Sequence, residues 1–269
     1  MPIMKEENIM DKDRKRIVVK LGTSTLTHKT GKLNIRRIER LVKNLADLHN
    51  AGSELIIVSS GAVGLGMAKL NLDSRPKETP LKQACAAIGQ CELMYFYDKL
   101  FSDYNINVAQ VLLTKYVLLE DRRINVQNAL EELLAHNVIP IVNENDTVAI
   151  DELGLEVGEN DSLVATVATI VDADLLVIMS DIDGLYDSDP HNNPDAKIIP
   201  VVNGITDEIR ELAGGAGSKL GTGGMRTKIN AAEIANAHGI DMIITNGRDP
   251  DNLYAIFEGS AGTLFKGRK

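Results

Sequence analysis

Short aliphatic runs alternate along this chain with longer segments whose apolar residues recur every three or four positions. Ile17–Lys20 has the pattern of a short buried strand. After it, Ile35, Ile38, Leu41, Val42, Leu45 and Leu48 share one face of a helix, which Ala51-Gly52 closes. Glu54–Ser59 is the next apolar run, a long helical stretch covers about Leu81 to Phe101, and Val108–Leu113 reads as a strand. Arg122–His136 is helical. Val138–Val142 is a strand whose Pro140 points to an edge or an irregular position, because proline donates no ladder hydrogen bond. Asn143 to Glu159 carries acids and glycines without helical period and reads as a loop or hairpin. Ser162–Val171 is then a helix, Leu175–Met179 a buried strand, and Gly184–Val202 a set of turns or a hairpin. Ile229–Ala237 is a helix, Met242–Thr245 a strand, and Leu253–Phe257 a last short helix.

Strands rich in Ile and Val, separated by helices, predict an α/β fold: a three-layer α/β/α sandwich around a mainly parallel central sheet. In such sheets ligands bind beyond the carboxyl ends of the strands. Lys20, Ser60, Asn143 and Ser180-Asp181 all follow apolar strands and are therefore expected along one edge. No linker or composition break divides the chain. It reads as one domain over residues 1–269, of which 1–15 form a polar extension.

Composition narrows the chemistry. The chain has 269 residues, 44% of them hydrophobic, no Trp and only 4% aromatics, so its core is aliphatic. The net charge is −9 and the pI near 5.1, which argues against nucleic acid as a partner, since that needs a basic patch. Cys85 and Cys91 stand six apart in a helical pattern, about 120° apart on the wheel, which favours neither a disulfide nor a shared metal. The five histidines are scattered without ligand spacing, so no protein-held metal is expected. The first sixteen residues contain no apolar core of a signal peptide, and no run approaches the ~18 apolar residues of a membrane span. A soluble cytoplasmic protein is the expectation.

The glycine-rich stretch Gly221-Thr222-Gly223-Gly224-Met225-Arg226-Thr227-Lys228 opens a helix-like segment from Thr227 to His238. Glycines let backbone N–H groups approach an anion, a helix N-terminus adds partial positive charge, and a first-turn lysine reaches terminal phosphates. Similar strand-to-glycine turns occur at Lys20-Leu21-Gly22-Thr23-Ser24 and at Ser59-Ser60-Gly61-Ala62. Together they suggest a phosphate-handling site. No segment fits the P-loop pattern, and no G-x-G-x-x-G follows a strand. Asp161, just before an apolar helix, suits either an N-cap or a functional carboxylate.

These segments, in their order and spacing, resemble the glutamate 5-kinases, a branch of the amino acid kinase family. The markers are Val19-Lys20-Leu21-Gly22-Thr23-Ser24, Val58-Ser59-Ser60-Gly61-Ala62, Asn143-Glu144-Asn145-Asp146, Val157-Gly158-Glu159-Asn160-Asp161, Asp181-Ile182-Asp183-Gly184-Leu185-Tyr186 and Gly221-Thr222-Gly223-Gly224-Met225. The resemblance runs from about Arg16 to Phe265. It implies ATP- and Mg2+-dependent phosphorylation of the glutamate side chain to L-glutamyl 5-phosphate, the first step of proline biosynthesis, with proline as inhibitor. It implies that Lys20, Ser180, Asp181, Thr222, Gly223, Gly224, Met225, Arg226, Thr227 and Lys228 contact ATP. Ser60, Asp146 and Asn160 would contact glutamate. Lys20 and Lys228 would compensate charge on the transferring phosphoryl group, with Asp161 orienting them. Magnesium would arrive with the nucleotide, held by phosphates and water. The implied assembly is a homo-oligomer, a dimer or tetramer. Many glutamate 5-kinases carry a further C-terminal RNA-binding-like (PUA) module. This chain stops at Lys269, which suggests the kinase-domain-only form.

The nearest alternative is a kinase of the same family acting on aspartate, acetylglutamate or carbamate. Relatives acting on aspartate or acetylglutamate usually show Lys-x-Gly-Gly where this chain has Lys20-Leu21-Gly22-Thr23. A non-catalytic amino-acid sensor would be marked by loss of the lysines and acids, all of which are present. A nicotinamide oxidoreductase lacks its fingerprint after the first strand.

Overall fold

The computed structural model describes residues 16–28, 30–114, 120–148, 160–190, 192–213 and 224–267. In chain order the elements are β1 (Arg16–Leu21), α1 (Thr23–Leu26), α2 (Ile35–Asn50), β2 (Glu54–Ser59), α3 (Ala62–Lys69), α4 (Thr79–Ser102), β3 (Val108–Leu113), α5 (Glu120–Ala135) and β4 (Ile139–Glu144). They continue with α6 (Asn160–Ile170), β5 (Leu175–Ser180), β6 (Val201–Val202), α7 (Asp207–Ala213), α8 (Met225–Ala237), β7 (Asp241–Asn246), α9 (Asn252–Ala255) and β8 (Thr263–Phe265). Packing groups the chain into two compact units, a central one of residues 21–155 and a flanking one of residues 1–20 and 156–269.

In the central unit the strands run β3-β4-β2, all parallel. Helix α2 exists because its apolar positions form one stripe: Ile38, Leu41, Val42, Leu45 and Leu48 are buried. Asn34 caps it by accepting the Arg37 N–H, an interaction worth about 1 kcal/mol. Gly52, at φ +104°, turns the chain into β2. Pro140 does not mark an edge, since β4 lies between β3 and β2. The Ile139 N–H donates to Asn107 of the β3 side, so alternation turns position 140 toward β2. The ladder with β2 begins only at Ile57↔Ile141, and the missing N–H falls just before it.

Helix α3 escapes the apolar pattern because its Ala-Val-Gly-Leu-Gly sequence lacks bulk on the face that matters. Its Gly66 and the Gly89 of α4 bring the two helix backbones into contact. A Cβ at Gly66 would lie 1.8 Å from the Cys85 carbonyl oxygen, and one at Gly89 would lie 1.7 Å from that of Ala62. Helix α4 carries Cys85 buried and Cys91 exposed, both free thiols.

In the flanking unit the order is β1-β5-β7-β8-β6. Strands β5 and β7 pair in parallel from Leu175↔Asp241 to Ser180↔Asn246. All six residues of β5 are buried, as a parallel strand covered on both faces requires. The Arg16 N–H donates to the Asp174 carboxylate and the Asp174 N–H to the Arg16 carbonyl, tying the start of β1 beside β5. The short strand β8 departs from the rule, running antiparallel to β7 and parallel to β6. The α/β class with a mainly parallel sheet is therefore the one found.

Candidate active site

Within the flanking unit, three charged side chains meet. Lys20 comes from β1, Asp161 from the first turn of α6, and Lys228 from the first turn of α8. Lys20 Nζ lies 2.9 Å from Asp161 Oδ1, and Lys228 Nζ lies 3.2 Å from Oδ2. Their side chains are 11%, 2% and 3% exposed in the order Lys20, Asp161, Lys228. The Thr227 hydroxyl also donates to Oδ2, at 2.8 Å. Helix α6 starts before Asp161, so this residue is not an N-cap: its carboxylate serves tertiary partners.

Burial pushes the Asp161 carboxyl upward, but the Lys20 and Lys228 charges and the Lys20 and Thr227 hydrogen bonds outweigh it, lowering the pKa to about 2. The carboxylate is thus fully ionised at neutral pH and neutralises one of two cations. The formal charges of these three side chains sum to +1, next to the N-termini of α6 and α8, each of which adds partial positive charge. Two like charges are thus drawn together in a buried spot by the carboxylate that both contact, an arrangement that can accept an anion.

Around the ends of β5 and β7 a second, uncharged-to-acidic group collects. Ser180 is buried and its hydroxyl donates to Asp181 Oδ1 at 3.1 Å, while Asp181 itself is exposed. Asp183 accepts from Asn246 Nδ2 at 2.6 Å and from the Tyr186 hydroxyl at 3.1 Å. The Gly247 N–H donates to the Ser180 carbonyl, fixing the turn after β7 against the end of β5. Gly224 and Met225 are half-buried and Arg226 is exposed. Thr222 and Gly223 lie outside the described residues.

The central unit carries the other expected residues. Ser60 follows β2, its N–H donating to the Leu21 carbonyl, and Gly61 (φ +101°) turns the chain into α3. Asp146 follows β4, half-buried. Burial raises its pKa, and Lys82 and Arg75 counteract this. Asn143, at the end of β4, donates from Nδ2 to Gln90 Oε1 at 2.8 Å, and its own Oδ1 accepts the Glu144 N–H at 2.9 Å. Ser59 and Tyr97 share a buried hydroxyl–hydroxyl bond of 2.9 Å, and burial raises the Tyr97 phenol. The side chain of Asn160 lies outside the described residues, as do residues 149–159. Gln90 escaped the sequence reading. Its only signal is an amide among Cys85, Ala86, Gly89, Leu93 and Tyr97 on the buried face of α4.

Among the described residues no three His, Cys, Asp or Glu side chains converge as a metal cage. Asp161 is engaged by two lysines and a threonine, which makes it a poor metal ligand. This donor set fits a divalent ion carried by phosphates and water rather than one caged by side chains.

The pattern of the amino acid kinase family matches residues 15–246. The chain is 53% identical over 262 residues to a glutamate 5-kinase of Clostridium perfringens, covering 96% of this chain and 97% of that protein. It is 51% identical to a glutamate 5-kinase of Caldanaerobacter subterraneus, over 93% of this chain and 67% of that longer protein. Among solved structures, a carbamate kinase from Giardia lamblia bound to AMP-PNP matches with a TM-score of 0.64 at 20% identity, covering 95% of this chain and 99% of that one. A UMP kinase from Ureaplasma parvum matches with a TM-score of 0.64 at 14% identity, over 94% and 99%. These structural likenesses show the fold.

Proposed function

Because the chain belongs to the amino acid kinase family, we propose that it is a cytoplasmic glutamate 5-kinase, transferring the γ-phosphoryl group of ATP to the side-chain carboxylate of L-glutamate. A carboxylate oxygen forms the new bond to phosphorus, the bond from phosphorus to the ADP oxygen breaks, and the products are L-glutamyl 5-phosphate and ADP. This is the first step of proline biosynthesis. The observation that carries the reading is the buried Lys20–Asp161–Lys228 cluster, whose residual charge suits the phosphoryl oxygens.

The chemistry asks little else of the protein. A glutamate side chain has a reference pKa near 4.3, so the nucleophile is ionised at neutral pH and no general base is needed. Positioning and charge compensation supply the catalysis. Lys20 and Lys228 stabilise the transferring group, and Asp161 with Thr227 holds them in place. Backbone N–H groups at the start of α8 are suited to phosphate oxygens, and Thr222 and Gly223 are assigned to ATP from the sequence. Ser180 and Asp181 contact ATP. Magnesium, arriving with the nucleotide, would supply further charge neutralisation. Ser60, Asp146 and Asn160 bind glutamate, with Asp146 meeting the α-ammonium group. Residues 15–246 carry the family pattern through both units, which supports one functional domain.

Proline is the inhibitor in this reading and competes at the amino-acid site. The chain is a homo-oligomer, a dimer or tetramer. The test is ADP release at saturating ATP and Mg2+ with glutamate, aspartate, acetylglutamate or carbamate as acceptor. ADP release with glutamate, its KM raised by proline, is expected. Preference for another of the four acceptors overturns the substrate assignment.

A further inference from the structure

We propose that the Gln90 side-chain amide is a substrate-binding group that donates to the α-carboxylate of the amino-acid substrate. The inference deepens the glutamate kinase reading and rests on it.

A chain of hydrogen bonds fixes which end of this amide is available. The Glu144 N–H can only donate, so the Asn143 atom 2.9 Å away is the oxygen Oδ1. Asn143 therefore presents Nδ2 to Gln90, and the Gln90 atom 2.8 Å from it must be the acceptor, Oε1. Neither amide can flip without placing two donors or two acceptors face to face. What remains is Gln90 Nε2, buried and without a hydrogen-bond partner among the described residues. Gln90 as a whole is 9% exposed. A buried donor left unsatisfied is costly, so a side chain locked in this state is ready to take an acceptor supplied by a bound substrate.

Position identifies the partner. Gly89, the preceding residue, touches the Ala62 carbonyl, which places Gln90 beside the Ser60-Gly61-Ala62 turn. Asn143 stands three residues before Asp146 on the other flank. The Nε2 donor is thus held at the carboxyl ends of β2 and β4, in the segment that carries Ser60 and Asp146. Its partner must be an acceptor. Of the groups on glutamate, the ammonium is a donor suited to Asp146 and the side-chain carboxylate is consumed by phosphoryl transfer. The α-carboxylate is the acceptor left over.

The experiment compares glutamate with glutamate 1-amide, in which the α-carboxylate is a neutral carboxamide, in wild type, Gln90→Leu and Gln90→Glu. Gln90→Glu keeps an oxygen for Asn143 Nδ2 but puts a negative charge where Nε2 was, so it guards against simple loss of folding. The expected result is a KM for glutamate raised about tenfold in Gln90→Leu and more in Gln90→Glu, with the KM for ATP unchanged. The preference for glutamate over its 1-amide is expected to fall about tenfold in Gln90→Leu, as a lost pairwise contact requires. Equal losses on both substrates, or equal losses in both KM values, overturn the proposal and make Gln90 a structural residue. Wild-type protein that does not phosphorylate glutamate takes down the functional reading itself, and this role with it.

Discussion

The two units gather different chemistry, which under the proposed function answers opposite recognition problems. The flanking unit concentrates charge: Lys20 and Lys228 flank Asp161, and two helix N-termini add to the field. The central unit uses mostly neutral groups: the Gln90–Asn143 amide pair, the Ser59–Tyr97 hydroxyls and the Ser60 turn, with Asp146 as its acid. A polyphosphate offers many diffuse negative charges, which under the proposed function would be met by cations whose mutual repulsion a shared carboxylate reduces. A zwitterionic amino acid offers one charge of each sign, and an excess of either sign in its pocket would repel one end. The contrast shows also in the two aspartates. Lysines drive Asp161 down to about 2, whereas burial lifts Asp146 because its cations interact less strongly.

The largest effect is expected at the centre of the charged cluster. Asp161→Asn removes the carboxylate that both lysines contact, and breaking such a buried pair costs about 3–5 kcal/mol. Urea unfolding at neutral pH measures it, and an unchanged midpoint means the lysines do not depend on Asp161. Acid provides the companion measurement. The folded pKa is lowered from 3.8 to about 2, so the stabilisation is fully present above pH 4 and is lost as pH falls through the folded value. Wild type is expected to lose about 2 kcal/mol more than Asp161→Asn between pH 4 and pH 2.

Next in size is the rate. Lys20→Ala or Lys228→Ala is expected to lower kcat about a hundredfold or more, the scale of removing one strong electrostatic donor, at saturating ATP. Turnover near wild type in either variant would end the comparison, because the cluster would then be structural.

The smallest effect belongs to the neutral side. Asp146→Asn keeps an Asx turn but loses the charge proposed to meet the α-ammonium group. A hydrogen bond to a charged group is worth roughly 1.5–3 kcal/mol, so the KM for glutamate is expected to rise about ten- to a hundredfold. The KM for ATP stays near its wild-type value. A fully active Asn variant would assign Asp146 to loop shape alone.

Periodicity alone determined most of the elements. The stripe of α2, the run of β2 and the strands β3, β5 and β7 follow from local spacing, because burying an amphipathic face or a β-rich run is a short-range demand on the sequence. The glycine turns and flanking lysines likewise identified a phosphate-handling chain. Helix α3 was lost to the pattern because its glycines serve a close helix crossing, a need visible only once Gly66 meets Cys85 and Gly89 meets Ala62. Pro140 misled for a related reason: its tolerance depends on where the ladder to β2 begins, and register is a property of paired strands. The reversal of β8 also depends on its neighbours, and three residues are too few to declare a direction.

The candidate site divides in the same way. The sequence by itself singled out residues able to carry chemistry, since residue type and turn context are local. Tertiary structure decided which of them meet. Asp161 suits a cap or an ion pair equally well as a letter in a string, and only the approach of β1 and α8 makes it the carboxylate of two lysines. Gln90 has no motif at all. Its significance comes from Asn143, 53 positions away, and from a backbone N–H that fixes the direction of both amides. Charge balance and hydrogen-bond direction are sums over neighbours, and the fold supplies the neighbours.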